Sequence, residues 1–412
     1  MKILYIVHRI PYPPNKGDKI RSFNEIKYLS EKHEIHLCCL ADTPQDLQRG
    51  STLKAYCKSV TIIPINRTLS KLKTIRCVFS NMPLSVPYFY ARKLQMAVNQ
   101  LLETITFDYI FCLSSAMAEY VFRAYSDETK ASRQQTAIRI MDFVDVDSDK
   151  WLQYSQHEKW PLSWIHRMEG RRLAEYERKI SEWFDHSIFV STSELAIFKS
   201  YCSNVKNAVV IPNGVDFEYF SPSSALSLTI DDGQLFRDKS RPLLLFTGAM
   251  DYYPNVEGIT WFCSEILPSI LAEYHDLMFY IVGSNPHPRV RSLQKDNGIR
   301  VTGFVEDIRP YYYSADVCVV PLRLARGVQN KVLEAMAMGK PVVTTSKGVQ
   351  GFETIPEHHL LVGDTPEDFA HKVIDLLKNE RRRKEVGQSN RKWVKNNYQW
   401  SINMDMLERL IE

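Results

Sequence analysis

Short apolar runs alternate with longer amphipathic ones from one end of the chain to the other, and this alternation dictates the fold class before any motif is read. In the first half, residues 2–7, 34–40, 60–64, 109–113, 137–141, 187–191 and 208–211 read as short buried strands. Between them, 17–32 and 163–182 read as amphipathic helices. The stretch 221–239 is polar and turn-rich, with SPSS and DDG, and reads as a linker. A second set of strands follows at 242–247, 277–282, 298–303, 316–321, 340–345 and 360–363. Strands separated by crossover helices build parallel sheets. The expected fold is therefore α/β, with two doubly wound Rossmann-like domains facing across a cleft. The first domain is expected over residues 1–220 and the second over 240–399, with a final helix near 400–412 packing back on the first. The length agrees, since 412 residues exceed what one hydrophobic core usually organises.

Composition narrows the class further. A hydrophobic share of 44% with 24% charged residues suits a globular protein. No apolar run approaches the roughly 18 residues of a spanning helix. The opening KILYIVH is strand-like and lacks a small-residue cleavage site, so no signal peptide is expected. The 8 cysteines show no C-x-x-C spacing, and Cys38 and Cys39 are adjacent in an apolar run, as buried free thiols of a reducing cytoplasm would be. The histidines form no metal-ligand spacing. No Asp or Glu occurs from Leu47 through Leu102, whereas Arg49, Lys54, Lys58, Arg67, Lys71, Lys73, Arg76, Arg92 and Lys93 all do. Leu69, Leu72, Ile75 and Phe79 recur among these cations at near-helical spacing. Such a surface suits an anionic membrane, contacted through residues 47–102, and places the protein peripherally on the inner membrane. A nucleic-acid partner is not expected, because the chain has no recognised binding motif.

Five segments carry chemistry. RGVQNKVLEAMAMGKPVV, residues 326–343, reads as a glycine-hinged loop, a helix beginning near Val328 or Gln329, and a buried strand. The unpaired N–H groups around Gly327, Val328, Gln329 and Asn330 would suit a phosphate or sugar hydroxyl. Glu334 points off the apolar stripe of Val332, Ala335 and Met336, where it could accept bonds from ribose hydroxyls. Arg326 and Lys331 add cations beside it. A Lys and a Glu three residues apart can also simply stabilise a surface helix. After the first strand, HRIPYPPNKGDKIRSFNE holds one glycine, Gly17, among Arg9, Lys16, Lys19 and Arg21. That turn suits an anion, but it is not the G-x-G-x-x-G of a dinucleotide site. In MDFVDVDSDKW, Asp145 and Asp147 form a D-x-D pair, although Lys150 and Gln156 break a calcium-loop pattern. Asp142 or Asp145 is expected to face the cleft and orient an acceptor hydroxyl, while the other aspartates cap the next helix. Finally, GAMDYYPN brings Gly248 and Asn255 to the place where a phosphate loop would lie, and GFVED, residues 303–307, leads into a helix start.

Taken in order, the Pro/Gly loop after the first strand, IPNGVD, FTGAMDYYPN, VTGFVED and KVLEAMAMGKPVV resemble the family-4 glycosyltransferases of the two-domain GT-B fold. More narrowly, HRIPYPPNKGDKIRS, MDFVDVDSDKW and RGVQNKVLEAMA resemble the sugar transferases associated with PEP-CTERM/exosortase systems. The resemblance implies a retaining transfer from a nucleotide sugar, with no cofactor and no metal. The donor would bind the second domain, and a lipid-linked or polysaccharide acceptor the first. Glu334 matches the family's second motif glutamate, expected on the ribose, and Gly17 its glycine loop near the diphosphate. Lys331 would neutralise the leaving diphosphate. The chain departs from the pattern at the first motif glutamate, which is Arg326. It departs again after the first strand of the second domain, where Asp251 and Asn255 replace the usual Arg and Lys. Arg326, Lys331 or Arg323 is expected to supply that charge. The usual acceptor-side histidine has no clear counterpart. An epimerase of the same fold, or a non-catalytic donor-binding scaffold, are the alternatives.

Overall fold

The computed structural model describes residues 1–78, 80–126, 137–203, 205–225, 241–295, 298–325, 327–352 and 360–411. The chain divides into two compact units, Met1–Pro212 with the segment from Met404 onward, and Asn213–Asn403.

The first unit holds β1 (Lys2–Val7), β2 (Glu34–Ala41), β3 (Ser59–Pro64), β4 (Tyr109–Leu113), β5 (Ile138–Val144), β6 (His186–Phe189) and β7 (Ala208–Val210). Among the described residues they form one sheet in the order β3-β2-β1-β4-β5-β6-β7, with every pairing parallel. The central strands are apolar on both faces because crossover helices cover both: Ile3 through Val7 of β1 are all buried, as is all of β4. Cys38 and Cys39 lie buried as free thiols in β2, and burial raises both above the usual thiol range.

The second unit holds β8 (Leu243–Thr247), β9 (Met278–Val282), β10 (Ile299–Gly303), β11 (Val317–Val320), β12 (Val342–Thr344) and β13 (Leu360–Val362). Its sheet runs β10-β9-β8-β11-β12-β13, again parallel throughout the described residues. Each sheet thus reverses its winding beside its first strand, between β1 and β4 and between β8 and β11. Ligands of such sheets bind outside the carboxyl ends of the strands at that point. Both Rossmann-like sheets expected from the sequence are present.

The units part at Pro212 and Asn213, on the IPNGVD turn and ahead of the polar stretch assigned as linker. The cause lies in the packing after the turn. The Val215 N–H donates to Tyr398 O at 2.7 Å, and a Cβ on Gly214 would lie 2.8 Å from Trp400 N. Residues 213–220 therefore build into the second unit. Most of the expected linker, 226–240, is outside the described residues. The last helix, Trp400–Ile411, passes into the first unit at Met404. There Asp405 accepts from Tyr28 Oη, Glu408 lies 3.1 Å from Lys32 Nζ, and Ile411 O accepts from Tyr109 Oη at 2.7 Å.

Candidate functional site

In the second unit the carboxyl ends of three strands are drawn together through glycine. Gly248 N–H donates to Val282 O, and Gly283 N–H to Gly303 O, both at 3.1 Å. A Cβ on Gly283 would sit 1.7 Å from Gly248 O, so only glycine permits this approach. A Cβ on Gly248 would meet Asn255 Nδ2 at 2.6 Å and Lys331 Nζ at 3.2 Å. The bare glycine thus leaves room for two polar side chains. Asn255 is buried, donates from Nδ2 to Ala249 O at 2.9 Å, and accepts from Lys331 Nζ at 2.5 Å. The Lys331 ammonium also lies 4.6 Å over the Phe246 ring. Burial pushes the Lys331 ammonium down to about 7, and the Glu334 carboxylate offsets only part of that.

Lys331 and Glu334 project from the helix Asn330–Ala337, which begins one or two residues later than the sequence suggests. Gln329 precedes it in extended conformation, and the Gln329 side chain forms no cap hydrogen bond with its first turn. Gly327 has φ of 55°, and a Cβ on Gly351 would lie 2.1 Å from its carbonyl, so the entry to the helix is pinned. Val328 is buried, while Asn330 Oδ1 accepts from Asn213 Nδ2 at 3.4 Å. Glu334 Oε2 accepts from Tyr312 Oη at 2.8 Å, and Tyr312 Oη in turn meets Thr247 Oγ1 at 2.7 Å. Burial raises the Glu334 carboxyl, with Tyr312 and Lys331 pulling the other way. Tyr312 and Thr247 are not singled out by sequence reasoning. Gly248, Asn255, Lys331 and Glu334 are, and the fold brings all four to one strand-end cluster. Arg323 is engaged elsewhere, paired with Glu257 and lying 5.1 Å over the Trp261 ring. Arg326 lies outside the described residues.

The first unit departs further from the sequence expectation. Arg21 and Asp142 are both fully buried, with Arg21 Nε 2.6 Å from Asp142 Oδ2 and 3.0 Å from Glu25 Oε1. Arg21 Nη1 also donates to Ile211 O at 2.9 Å, and Tyr5 Oη donates to Glu25 Oε2 at 2.5 Å. This cluster ties the helix Gly17–Leu29 to the sheet. It presents neither Arg21 to a phosphate nor Asp142 to an acceptor. Burial and the charge of Asp142 hold the Glu25 carboxyl above the usual range. Arg9 is likewise occupied, by Asp18 at 2.6 Å and Asp42 at 3.1 Å, and Lys19 lies 3.5 Å from Asp46. Of the four cations around Gly17, only Lys16 forms no ion pair among the described residues. Gly17 itself is exposed at the first position of its helix.

Asp145 keeps a half-exposed position just past β5. The preceding Val144 has φ of 62°, a strained conformation for a β-branched residue. Val146, and not one of the neighbouring aspartates, stands at the N-cap of the helix Asp147–His157. Its first N–H groups are met instead by carboxylates from distant helices. Glu194 Oε2 accepts from Val146 N at 2.7 Å, and Glu177 Oε1 from Ser148 N at 3.1 Å. Burial raises Glu177 to about 7, and burial with the charge of Asp145 raises Glu194 to about 8. The structure adds one pair that the sequence did not disclose: His8 Nε2 lies 2.9 Å from Asp18 Oδ2 at the end of β1. Its adjacency to Arg9 in the loop sequence was the available signal.

Residues 241–379, which include every strand of the second unit's described sheet, match the family model described as Glycosyl transferases group 1. A 44.6 kDa uncharacterized protein in the cps region of Klebsiella pneumoniae is 22% identical, over 96% of this chain and 96% of its own. The GDP-mannose-dependent monoacylated alpha-(1-6)-phosphatidylinositol monomannoside mannosyltransferase of Corynebacterium glutamicum is 24% identical, over 57% of this chain and 64% of its own. Among solved structures, HepE of Anabaena in complex with UDP is similar in fold, with a TM-score of 0.67, 14% identity, and coverage of 100% of this chain and 99% of that one. The second unit carries a group 1 glycosyltransferase domain, and the chain is a glycosyltransferase.

Proposed function

We propose that the chain transfers a sugar from a nucleoside diphosphate sugar to a lipid-linked or polysaccharide acceptor in exopolysaccharide biosynthesis, with retention at the anomeric carbon and without a metal. The observation that carries this reading is the convergence of Lys331, Asn255 and Gly248 at the end of β8, with Glu334 on the same helix as Lys331. The donor's diphosphate lies against Lys331 and the start of its helix, from the entry at Gly327 to Asn330, where a cation and the positive end of the helix coincide. One turn further on, Glu334 accepts from the ribose hydroxyls, oriented by Tyr312. During transfer the bond from the anomeric carbon to the diphosphate breaks and a bond to the acceptor oxygen forms. The nucleoside diphosphate leaves with the bonding pair, and the acceptor hydroxyl's proton passes to the departing diphosphate oxygen. The charge gathering on the leaving group is what Lys331 stabilises. Of the cations expected to replace the family's usual pair, Lys331 has its ammonium at the glycine turn and Arg323 is committed to Glu257, while Arg326 lies outside the described residues.

On the first unit, we assign the acceptor hydroxyl to Asp145, a partly exposed carboxylate just past β5. The helix Arg67–Cys77 contributes an anionic-membrane contact, with Leu69 and Leu72 more than half exposed beside Lys71 and Lys73. In this reading the contact is peripheral and on the cytoplasmic face; among the described residues no helix is long and apolar enough to cross a membrane. The cps-region relative supports the polysaccharide setting, and the UDP held by HepE supports the donor class. The test is turnover of UDP-, GDP- and ADP-sugars, with and without a lipid extract as acceptor. Transfer that needs the acceptor is expected. Donor conversion without acceptor would favour an epimerase. No conversion with intact nucleotide binding would favour the scaffold reading, which Arg326 in place of the motif glutamate motivates.

A further inference from the structure

The helices Asp147–His157 and Leu162–Trp183 form a hairpin whose tip carries a cluster of exposed apolar side chains. Trp160 is 82% exposed, Trp164 52% and Leu162 48%. These side chains are not left over from the packing inside the hairpin, which is complete without them. Trp151 packs on His166 with ring centroids 4.9 Å apart and on Tyr154 at 5.9 Å. At Gly170 the helices come so close that a Cβ would lie 2.7 Å from Leu152 Cγ and from Ser148 O. The tip therefore turns two tryptophans and a leucine outward from a hairpin that is already closed within.

The surroundings indicate what covers them. Lys159 and Arg167 are exposed beside the tryptophans, with Glu158 as the nearby acid. Ten residues further along the second helix, about 15 Å at the usual helical rise, Arg172 clamps the end of the basic helix Arg67–Cys77. Its Nη1 donates to Cys77 O at 3.0 Å and its Nη2 to Val78 O at 2.8 Å. Glu169, one turn before, accepts from Leu84 N at 2.5 Å and Ser85 N at 2.9 Å. The hairpin is thus fastened to the segment in which no acidic residue occurs between Leu47 and Leu102. Tryptophan prefers the level of lipid headgroups, and lysine and arginine prefer anionic ones.

We propose that the hairpin tip is a membrane-interface anchor, with Trp160, Leu162 and Trp164 entering the headgroup boundary of an anionic bilayer while the Arg67–Cys77 helix supplies the electrostatic attraction. This rests on the membrane reading above and adds a second, apolar point of attachment. The basic helix steers the protein to the surface, and the tip makes binding outlast high salt, which screens charge and leaves apolar burial in place.

The test is sedimentation with vesicles of phosphatidylcholine mixed with phosphatidylglycerol, and of phosphatidylcholine alone, with brominated lipids as quenchers of tryptophan fluorescence. The wild-type chain is expected to bind the mixed vesicles and be quenched. The Trp160→Ala/Trp164→Ala variant is expected to bind roughly tenfold more weakly and to lose most quenching. Its melting temperature and nucleotide binding should be unchanged, since both side chains are exposed. A variant that binds and is quenched like the wild type overturns the anchor and leaves the membrane reading standing, which Lys71→Glu/Lys73→Glu then tests separately. A wild-type chain that binds no vesicle overturns both. Self-association that the tryptophan variant abolishes, without vesicle binding, assigns the patch to a second copy of the chain and overturns the proposal.

Discussion

At the scale of single residues, the candidate donor site turns on one lysine. Lys331 gives up hydration for an amide oxygen, an aromatic face and a partly offsetting carboxylate, and burial outweighs these in lowering its pKa to about 7. A bound diphosphate supplies the missing counter-charge and raises that pKa again. Binding then takes up a proton at any pH between the free and bound values. Nucleoside diphosphate affinity is accordingly expected to fall as pH rises above about 7, and titrations across that range in wild type and Lys331→Ala check it. In the variant the affinity should be lower by about 1.5–3 kcal/mol, roughly ten- to hundredfold, and this added pH dependence should vanish. Tyr312→Phe removes the hydroxyl shared by Thr247 and Glu334, and a loss of about 1–2 kcal/mol in stability is expected by thermal or denaturant unfolding. What was legible at this scale had local signals. Gly248, Asn255, Lys331 and Glu334 each sit in a strand-to-helix connection or in the first turns of the helix that follows it, a pattern that a sequence displays. Tyr312 was invisible because its importance comes from partners on two other elements. Arg21 and Asp142 were misread because they are 121 residues apart, and nothing in either neighbourhood announces that one neutralises the other.

At the scale of elements, buried charge fastens helices to the first sheet. Arg21 joins the helix Gly17–Leu29 to β5 and to the strand end at Ile211. Replacing it with alanine leaves Asp142 and Glu25 buried without their cation. A cost of about 3–5 kcal/mol is expected in unfolding of the first unit, with nucleotide binding by the second unit preserved. A phosphate-binding Arg21 would show the opposite pattern, with weak binding and normal stability. Glu177 and Glu194 act at the start of the helix Asp147–His157, and both hold their protons well above the usual carboxylate range. The unfolded chain loses those protons near pH 4.3 or so. Their stabilisation is therefore full below that value and is lost as pH rises through their folded values of about 7 and about 8. The melting temperature should decline between mildly acidic and mildly alkaline buffer, and less steeply in Glu194→Gln. The strands were readable because parallel strands buried on both faces leave unbroken apolar runs. The caps were not, because the carboxylates that supply them come from helices elsewhere in the sequence.

At the scale of the whole molecule, two sheets with the same winding place the candidate donor cluster at the β8/β11 reversal of the second. The terminal helix adds a segment of the second unit's chain to the first, with Met404, Leu407 and Ile411 buried there. Removing residues from Met404 onward should lower the unfolding temperature of the first unit while the second still binds nucleotide. The alternation of elements made the two-sheet plan legible. The division at Pro212 was not, because it depends on the Val215 and Gly214 backbone meeting Tyr398 and Trp400. The central claim, that Lys331 at the β8 turn holds the donor diphosphate, is tested most directly by calorimetric titration of UDP, GDP and ADP into the wild type, Lys331→Ala and Glu334→Ala. One nucleotide binding the wild type, weakened in both variants and accompanied by proton uptake that only Lys331→Ala abolishes, is the predicted result. Equal binding by wild type and Lys331→Ala, with the same proton uptake, would contradict it.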